Sequence, residues 1–411
     1  MPELSRGSAK LIKDINRQIV LNLILKQGPI SGADLAKKTK MRPSTISGIL
    51  KALSALGLIV DVGTGKSTSQ GGRKPVLWQI DARGGYAIGM EVIRKKFITT
   101  IMDLESKIVA KGTRRTGSFN NENQLVEEID GEVKRILSDN QIDPKKVIGM
   151  GLGITGLVDT NKAEILQTTV LKKRNVPLSK LLDEKMDMGV IVENDANAAA
   201  YGEHWIGIGK KTKHLIYLEV NEEVTGIGCG IVINGQVYRG ANMCAGEVGL
   251  ILPSISNLYH KDTLVVQESI LLDLVEGDVE KITTDILLKA VKQNDRLALR
   301  MLEDLGEILG DEIVRMVNLL NPEMIILGGD IADASEFILE PIRNTIRRKA
   351  LDAVSNVVKV EISSFGNYAV AVGAASLVLQ QVYREPGVDS KYIFNSSYLL
   401  ENNHVEEVTI V

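Results

Sequence analysis

Val192-Glu193-Asn194-Asp195-Ala196-Asn197-Ala198-Ala199-Ala200-Tyr201-Gly202-Glu203 reads as a strand end that runs into an alanine-rich helix. Polar side chains gather at the turn, where the first free N–H groups of a helix point outward and favour a bound oxygen or a negative charge. Open α/β sheets place ligands at such strand-to-helix turns. Asp195 is the natural general base there, and Asn194 the natural partner for a ligand hydroxyl. The plainer alternative is that one of the two merely caps the helix.

Outward from this turn, hydrophobic alternation predicts strands over 86–91, 97–103 and 108–111, a helix over 121–140, a strand over 147–154, and a strand over 189–192 leading into the Asp195 helix. The order is β-β-β-α-β-α. A second version follows: strands over 215–220 and 228–233, the latter paired through an Asn234-Gly235 turn with 236–239. Helices then lie between about 264 and 320, with a strand over 324–327, a helix over 335–348, a strand over 358–363 and a helix over 369–382. One pattern used twice implies two similar α/β lobes, 81–206 and 207–383, with a small-ligand cleft between them. The last helix is able to return to the first lobe, and 384–411 forms a C-terminal extension.

A chain of 411 residues suits two or three domains. Its 44% hydrophobic and 25% charged content excludes a disordered or membrane-spanning protein. The start, Met1-Pro2-Glu3-Leu4-Ser5-Arg6, lacks the apolar core of a signal peptide, so a cytoplasmic location is expected. Cys229 and Cys244 are the only cysteines and histidines number 4, which argues against a disulfide framework and against a metal site. The net charge of −3 hides an asymmetry: residues 1–80 hold 13 Lys/Arg and 4 Asp/Glu, whereas the rest holds 36 basic and 48 acidic residues. A basic head on an acidic body suggests a polyanionic partner for the head.

Within that head, Leu11, Ile12, Ile15, Ile19, Leu21, Leu23 and Ile24 recur at roughly helical spacing, and Gly28-Pro29 ends the helix. Ser31 precedes Asp34 by three positions, a short-acid variant of the capping box, so a brief helix follows. After the turn Thr39-Lys40-Met41, Pro43 fits the first position of a third helix that packs Ile46, Ile49, Leu50, Leu53 and Leu56 inward. This is a helix-turn-helix order, in which the second helix of the pair enters the DNA major groove. Its outward residues suit a DNA contact, with Ser44, Thr45 and Ser47 for bases or phosphates, Arg42 and Lys51 for phosphates, and Gly48 for close approach. Two strands, 58–62 and 75–80, flank a loop containing Gly71-Gly72-Arg73-Lys74-Pro75, a basic wing whose Arg73 and Lys74 could reach the minor groove.

Several motifs in one order resemble a known family. Gly149-Met150-Gly151-Leu152-Gly153-Ile154-Thr155-Gly156-Leu157-Val158-Asp159, Glu193-Asn194-Asp195-Ala196-Asn197, Ala245-Gly246-Glu247-Val248-Gly249, Asn318-Leu319-Leu320-Asn321-Pro322-Glu323 and Gly366-Asn367-Tyr368-Ala369 look like the ROK family of repressors and sugar kinases. With the basic head, the chain resembles the ROK transcriptional regulators. The resemblance implies a winged helix-turn-helix followed by a two-lobed, actin-like, ribonuclease H-like fold, present as a homodimer or higher oligomer. It implies that Asn194, Asp195 and Glu247 contact a sugar, with Asp195 the equivalent of the kinases' base. It also implies operator DNA as partner and a repressor of carbohydrate-utilisation genes, xylose metabolism among the candidates.

The departures from the family decide between regulator and kinase. Kinase members carry a small, glycine-rich turn after the first strand, whereas Gly89-Met90-Glu91-Val92-Ile93-Arg94-Lys95-Lys96 puts bulky Val92 and Ile93 there. The alternative of a sugar kinase with an added head is disfavoured by that turn, so no enzyme activity and no cofactor are expected. Family members have a histidine where Leu250 stands and then three cysteines; none follows Cys244 here, and His260 does not complete a set, so no structural zinc is expected. Lys172-Lys173-Arg174 stands where many relatives have an aromatic residue, either a solvated face or a site for a phosphorylated sugar.

Overall fold

In a computed structural model, the structure describes residues 9–65, 74–171, 173–186, 188–221, 226–248 and 269–383. The chain divides into two compact units: 1–152 with 160–192 and 374–411, and 153–159 with 193–373.

The first unit opens with α1 (Ala9–Gln27), β1 (Ile30–Ser31), α2 (Gly32–Thr39), α3 (Pro43–Ala55), β2 (Ile59–Thr64) and β3 (Val76–Ile80). Ser31 caps α2: its hydroxyl accepts from Asp34 N at 3.1 Å and donates to the Asp34 carboxylate at 2.6 Å, so the short-acid capping box forms. The turn after α2 is made by Lys40 at φ 58°. Helix α3 buries Ile46, Ile49, Leu50 and Leu53, with Leu56 half-buried, against α1 residues Val20, Leu21 and Ile24. Ile12, expected on the inner face of α1, is exposed. The sheet order is β1-β3-β2, so the two-residue β1, too short to leave a periodic signal, joins the hairpin expected from sequence.

Next come β4 (Tyr86–Ile93), β5 (Lys96–Asp103), β6 (Ile108–Arg115), α4 (Glu122–Asp139), β7 (Val147–Ile154), β8 (Gly156–Asp159), β9 (Glu164–Thr168), β10 (Arg174–Val176), α5 (Leu178–Met186), β11 (Val190–Asn194) and α6 (Asp195–Trp205). The main sheet has order β11-β7-β4-β5-β6, and β8, β9 and β10 form a separate three-stranded sheet. That small sheet and α5 are additions to the sequence-based expectation.

The second unit continues with β12 (Leu215–Asn221), β13 (Gly226–Ile233), β14 (Gln236–Val237), α7 (Ile270–Leu274), α8 (Thr284–Val291), α9 (Arg296–Leu320), β15 (Met324–Gly328), α10 (Ser335–Lys349), α11 (Asp352–Ser355), β16 (Lys359–Ile362) and α12 (Ala369–Tyr383). Its sheet order is β14-β13-β12-β15-β16. Counted within each unit, both five-stranded sheets run third, second, first, fourth, fifth strand, so one topology is indeed used twice. The expected Asn234-Gly235 turn joins β13 to β14, with φ 54° and 74° at the two residues. Helix α9 packs Leu302, Leu305, Leu309, Ile313 and Val317 against Ile325, Leu327, Ile338 and Ile342, a continuous apolar core.

The division does not fall at 206/207. Helix α6 belongs to the second unit, because Ala196 and Ala200 pack directly on the glycines of β13. Within α12, residues from Ala374 onward belong to the first unit, so the last helix does return to it.

Candidate functional site

Helix α6 is buried on all sides from Asp195 to Glu203: Ala196, Ala198, Ala199 and Ala200 are at most 1% exposed. Such a helix needs neighbours without side chains. A Cβ at Gly230 would lie 2.2 Å from Ala196 O, and one at Gly373 would lie 1.8 Å from Ala198 O. These approaches fix where the helix begins, and hence where Asp195 stands.

The cap and ligand readings of the turn divide between neighbours. Asn194 is the cap: its side-chain oxygen accepts from Asn197 N at 3.0 Å. Its amide hydrogens go to Gly156 O at 3.0 Å and to Asp195 Oδ1 at 2.9 Å. Both hydrogens are therefore engaged, and only an acceptor lone pair is left to offer. Asp195 is 9% exposed and accepts from Ala196 N at 2.9 Å, from Asn194 and from the Thr155 hydroxyl. Its own backbone N–H is a fourth donor, so a ligand hydroxyl would compete with or displace one of these partners.

Burial pushes the Asp195 carboxyl up to about 6, and the nearby Glu247 charge adds to the rise while the hydrogen bonds oppose it. Glu247 is itself raised by desolvation. Its loop is set by Gly246, at φ 90°, where a Cβ would lie 2.0 Å from Cys229 O. The Glu247 carboxyl is thus near enough to Asp195 for the two charges to interact. The raised Asp195 value has a stability consequence. Because the folded value exceeds the unfolded 3.8, this carboxyl's contribution is fully present below pH 4 and is lost as pH rises through 6. Asp195→Asn should therefore gain about 2 kcal/mol in stability relative to the parent between pH 4 and pH 7. Urea titrations at both pH values check this, and a pH-independent difference contradicts it.

Glu193 went unremarked at the sequence level. It is 2% exposed; Oε1 accepts from Asn194 N at 3.0 Å and Asn197 Nδ2 at 3.4 Å, and Oε2 receives Arg239 Nε at 3.1 Å and Nη2 at 2.5 Å. Glu203, fully buried at the other end of α6, accepts from the Ser363 and Ser364 hydroxyls and from Ser364 N and Ile208 N. Neither role leaves a local sequence signal.

In the head, Arg42, Ser44, Thr45, Ser47, Gly48 and Lys51 are all exposed along α3, and Lys74 is exposed beside β3. Arg73 lies outside the described residues, as do Lys172, Leu250, His260 and the segment 384–411. Lys173 is paired with Glu122 at 2.5 Å and Arg174 is exposed on β10. Cys244 donates to Asn242 O at 3.3 Å, and no group of three or more potential metal ligands occurs among the described residues. None of their helices is long and apolar enough to cross a membrane.

A strand topology used twice, with a buried carboxylate at the start of an alanine helix, defines a two-lobed, actin-like α/β protein of the sugar-kinase type. Residues 87–381, most of the chain, match the family model described as ROK family, and the chain belongs to that family. It is 28% identical to the xylose repressor of Caldicellulosiruptor bescii, over 92% of this chain and 99% of that protein. It is 27% identical to the DNA-binding transcriptional dual regulator NagC of Escherichia coli, over 90% of this chain and 94% of that protein. Among solved structures, a ROK family transcriptional regulator described as a homolog of the E. coli MLC protein matches with TM-score 0.74 at 24% identity, over 95% of this chain and 99% of that one.

Proposed function

We propose that the protein is a sugar-responsive DNA-binding transcriptional regulator, a repressor of carbohydrate-utilisation genes, that binds operator DNA as a homodimer. The observation that carries this reading is the two-faced α3: four apolar side chains buried, Ser44, Thr45, Ser47, Gly48 and Lys51 exposed, with Arg42 exposed at its N-cap. With α2 before it and the β2–β3 hairpin after it, α3 is the recognition helix of a winged helix-turn-helix, and Lys74, exposed beside β3, belongs to the wing. The family model begins at residue 87, whereas the two relatives, a repressor and a DNA-binding regulator, match over at least 90% of the chain, which supports a head shared with regulators.

In the body, Asp195 and Glu247 accept hydroxyl hydrogens of a sugar or polyol, and Asn194 shapes the turn and offers a lone pair. Asp195 keeps the position of a kinase base without performing that chemistry. Supporting this, Val92 is fully buried and β4 runs into β5 through the two-residue turn Arg94-Lys95 with Ile93 opposite Lys96, a closed hairpin in place of a glycine-rich phosphate turn. The regulator works without a cofactor or metal. Sugar shifts DNA affinity only through its differential affinity for two states of the protein.

The test is the salt dependence of DNA binding. Arg42→Ala and Lys51→Ala should each weaken operator binding and flatten the slope of log affinity against log salt by about 1. Unchanged slopes in both variants remove α3 from the DNA interface.

A further inference from the structure

The carboxylates of the proposed sugar site lie on two segments far apart in sequence, the Glu193–Asp195 turn and the loop that carries Glu247. Arg239 is bonded to both. Its guanidinium grips Glu193 through Nε at 3.1 Å and Nη2 at 2.5 Å, and Nη1 reaches Val237 O at 3.4 Å. Its own backbone carbonyl accepts from Ala245 N at 3.1 Å, two residues before Glu247. Glu193 in turn holds the turn from beneath, accepting from Asn194 N and Asn197 Nδ2. Next to Ala245, Gly246 runs so close to Cys229 O that an added Cβ would clash with it.

We infer that Arg239 is the positioning residue that sets the spacing between Asp195 and Glu247, and thereby which pair of sugar hydroxyls the protein selects. The inference rests on the sugar-binding reading given above. Two carboxylates that each accept one hydroxyl discriminate between epimers only if their separation is fixed, since an epimer differs in where one hydroxyl points. A planar guanidinium meeting a carboxylate through two N–H groups fixes angle as well as distance, which a single ammonium cannot. Arg239 also brings a positive charge to Glu193, its ion-pair partner. Glu193 is buried and depends on that charge, so the pair is held together by the cost of separating it.

The experiment compares the full-length parent with Arg239→Lys, Glu193→Gln and the double variant, by calorimetric titration with D-xylose, its single-hydroxyl epimers and N-acetylglucosamine, alongside thermal melting. In the parent, one sugar should bind at least tenfold more tightly than its epimers. Arg239→Lys keeps the charge, so it melts close to the parent, yet it should reduce that preference to less than threefold. Glu193→Gln should do the same, and the double variant should be no worse than either single one, because both changes remove one contact. A purely structural role would lower the melting temperature and leave the ratio of affinities intact. Parent-like selectivity in Arg239→Lys and Glu193→Gln overturns the inference alone. Absence of binding by the parent to every sugar overturns the sugar reading, and the inference with it.

Discussion

Gly373→Ala should destabilise the second unit by on the order of 3 kcal/mol and lower the melting temperature by about 6–12 °C. The added methyl would fall 1.8 Å from Ala198 O and 2.3 Å from Ala198 C, both backbone atoms of a helix that is buried on every side. No side chain can rotate away to make room. Relief requires α12 and α6 to separate, and α6 is held from its other side by Gly230, whose own Cβ position lies 2.2 Å from Ala196 O. The glycines therefore act as a sleeve for the helix that presents Asp195. Gly131→Ala is the control: this exposed position within α4 has nothing within 4 Å of a new Cβ, and the change should stabilise by up to about 1 kcal/mol. Melting curves of the two variants check the contrast, and equal melting temperatures would refute the sleeve.

Asp195→Asn should raise the sugar concentration needed for half-maximal response by ten- to a hundredfold. The substitution keeps the side chain's size, and an amide oxygen can still accept from Ala196 N and Asn194. What changes is the charge: a carboxylate that takes a charge-assisted bond from a ligand hydroxyl becomes a neutral amide with one acceptor oxygen fewer and two hydrogens to offer. Hydrogen bonds to charged groups contribute about 1.5–3 kcal/mol, which is the stated range in affinity. A pH signature accompanies it. Because the free carboxyl is pushed up to about 6, a hydroxyl that prefers the ionised form binds progressively less well as pH falls from 7.5 to 5. The weakened binding of the Asn variant should show no such dependence on this group. Calorimetric titrations at several pH values measure both effects, and parent-like affinity in the variant excludes Asp195 as the sugar's acceptor.

The parts of the fold legible in the sequence were those with long, regular patterns. Helix α3 announced itself through five apolar residues at helical spacing, four of which are buried, and the two five-stranded sheets through repeated β-β-β-α-β-α order. The three-stranded sheet of β8, β9 and β10 stayed hidden, because strands of 3–5 residues are too short for period-2 alternation to register. At the site, Asn194, Asp195 and Glu247 were visible as motif residues. Their division of labour was not, since it depends on which hydrogens Asn194 commits to Gly156, 38 positions away. The Glu193–Arg239 pair spans 46 positions and has no periodic trace at all. Glycine spacing was readable, but the backbone atoms pressing on Gly230 and Gly373 were not.

The central claim is that one chain couples sugar at Asp195 to DNA at α3. Fluorescence anisotropy of a labelled operator fragment, titrated with protein in the presence and absence of a binding sugar, tests it most directly. In the parent, sugar should shift the apparent Kd for DNA by about 5–150-fold, the usual range for coupled sites. In Asp195→Asn the same sugar concentration should produce little shift. An identical shift in both proteins, or none in the parent, would contradict the account.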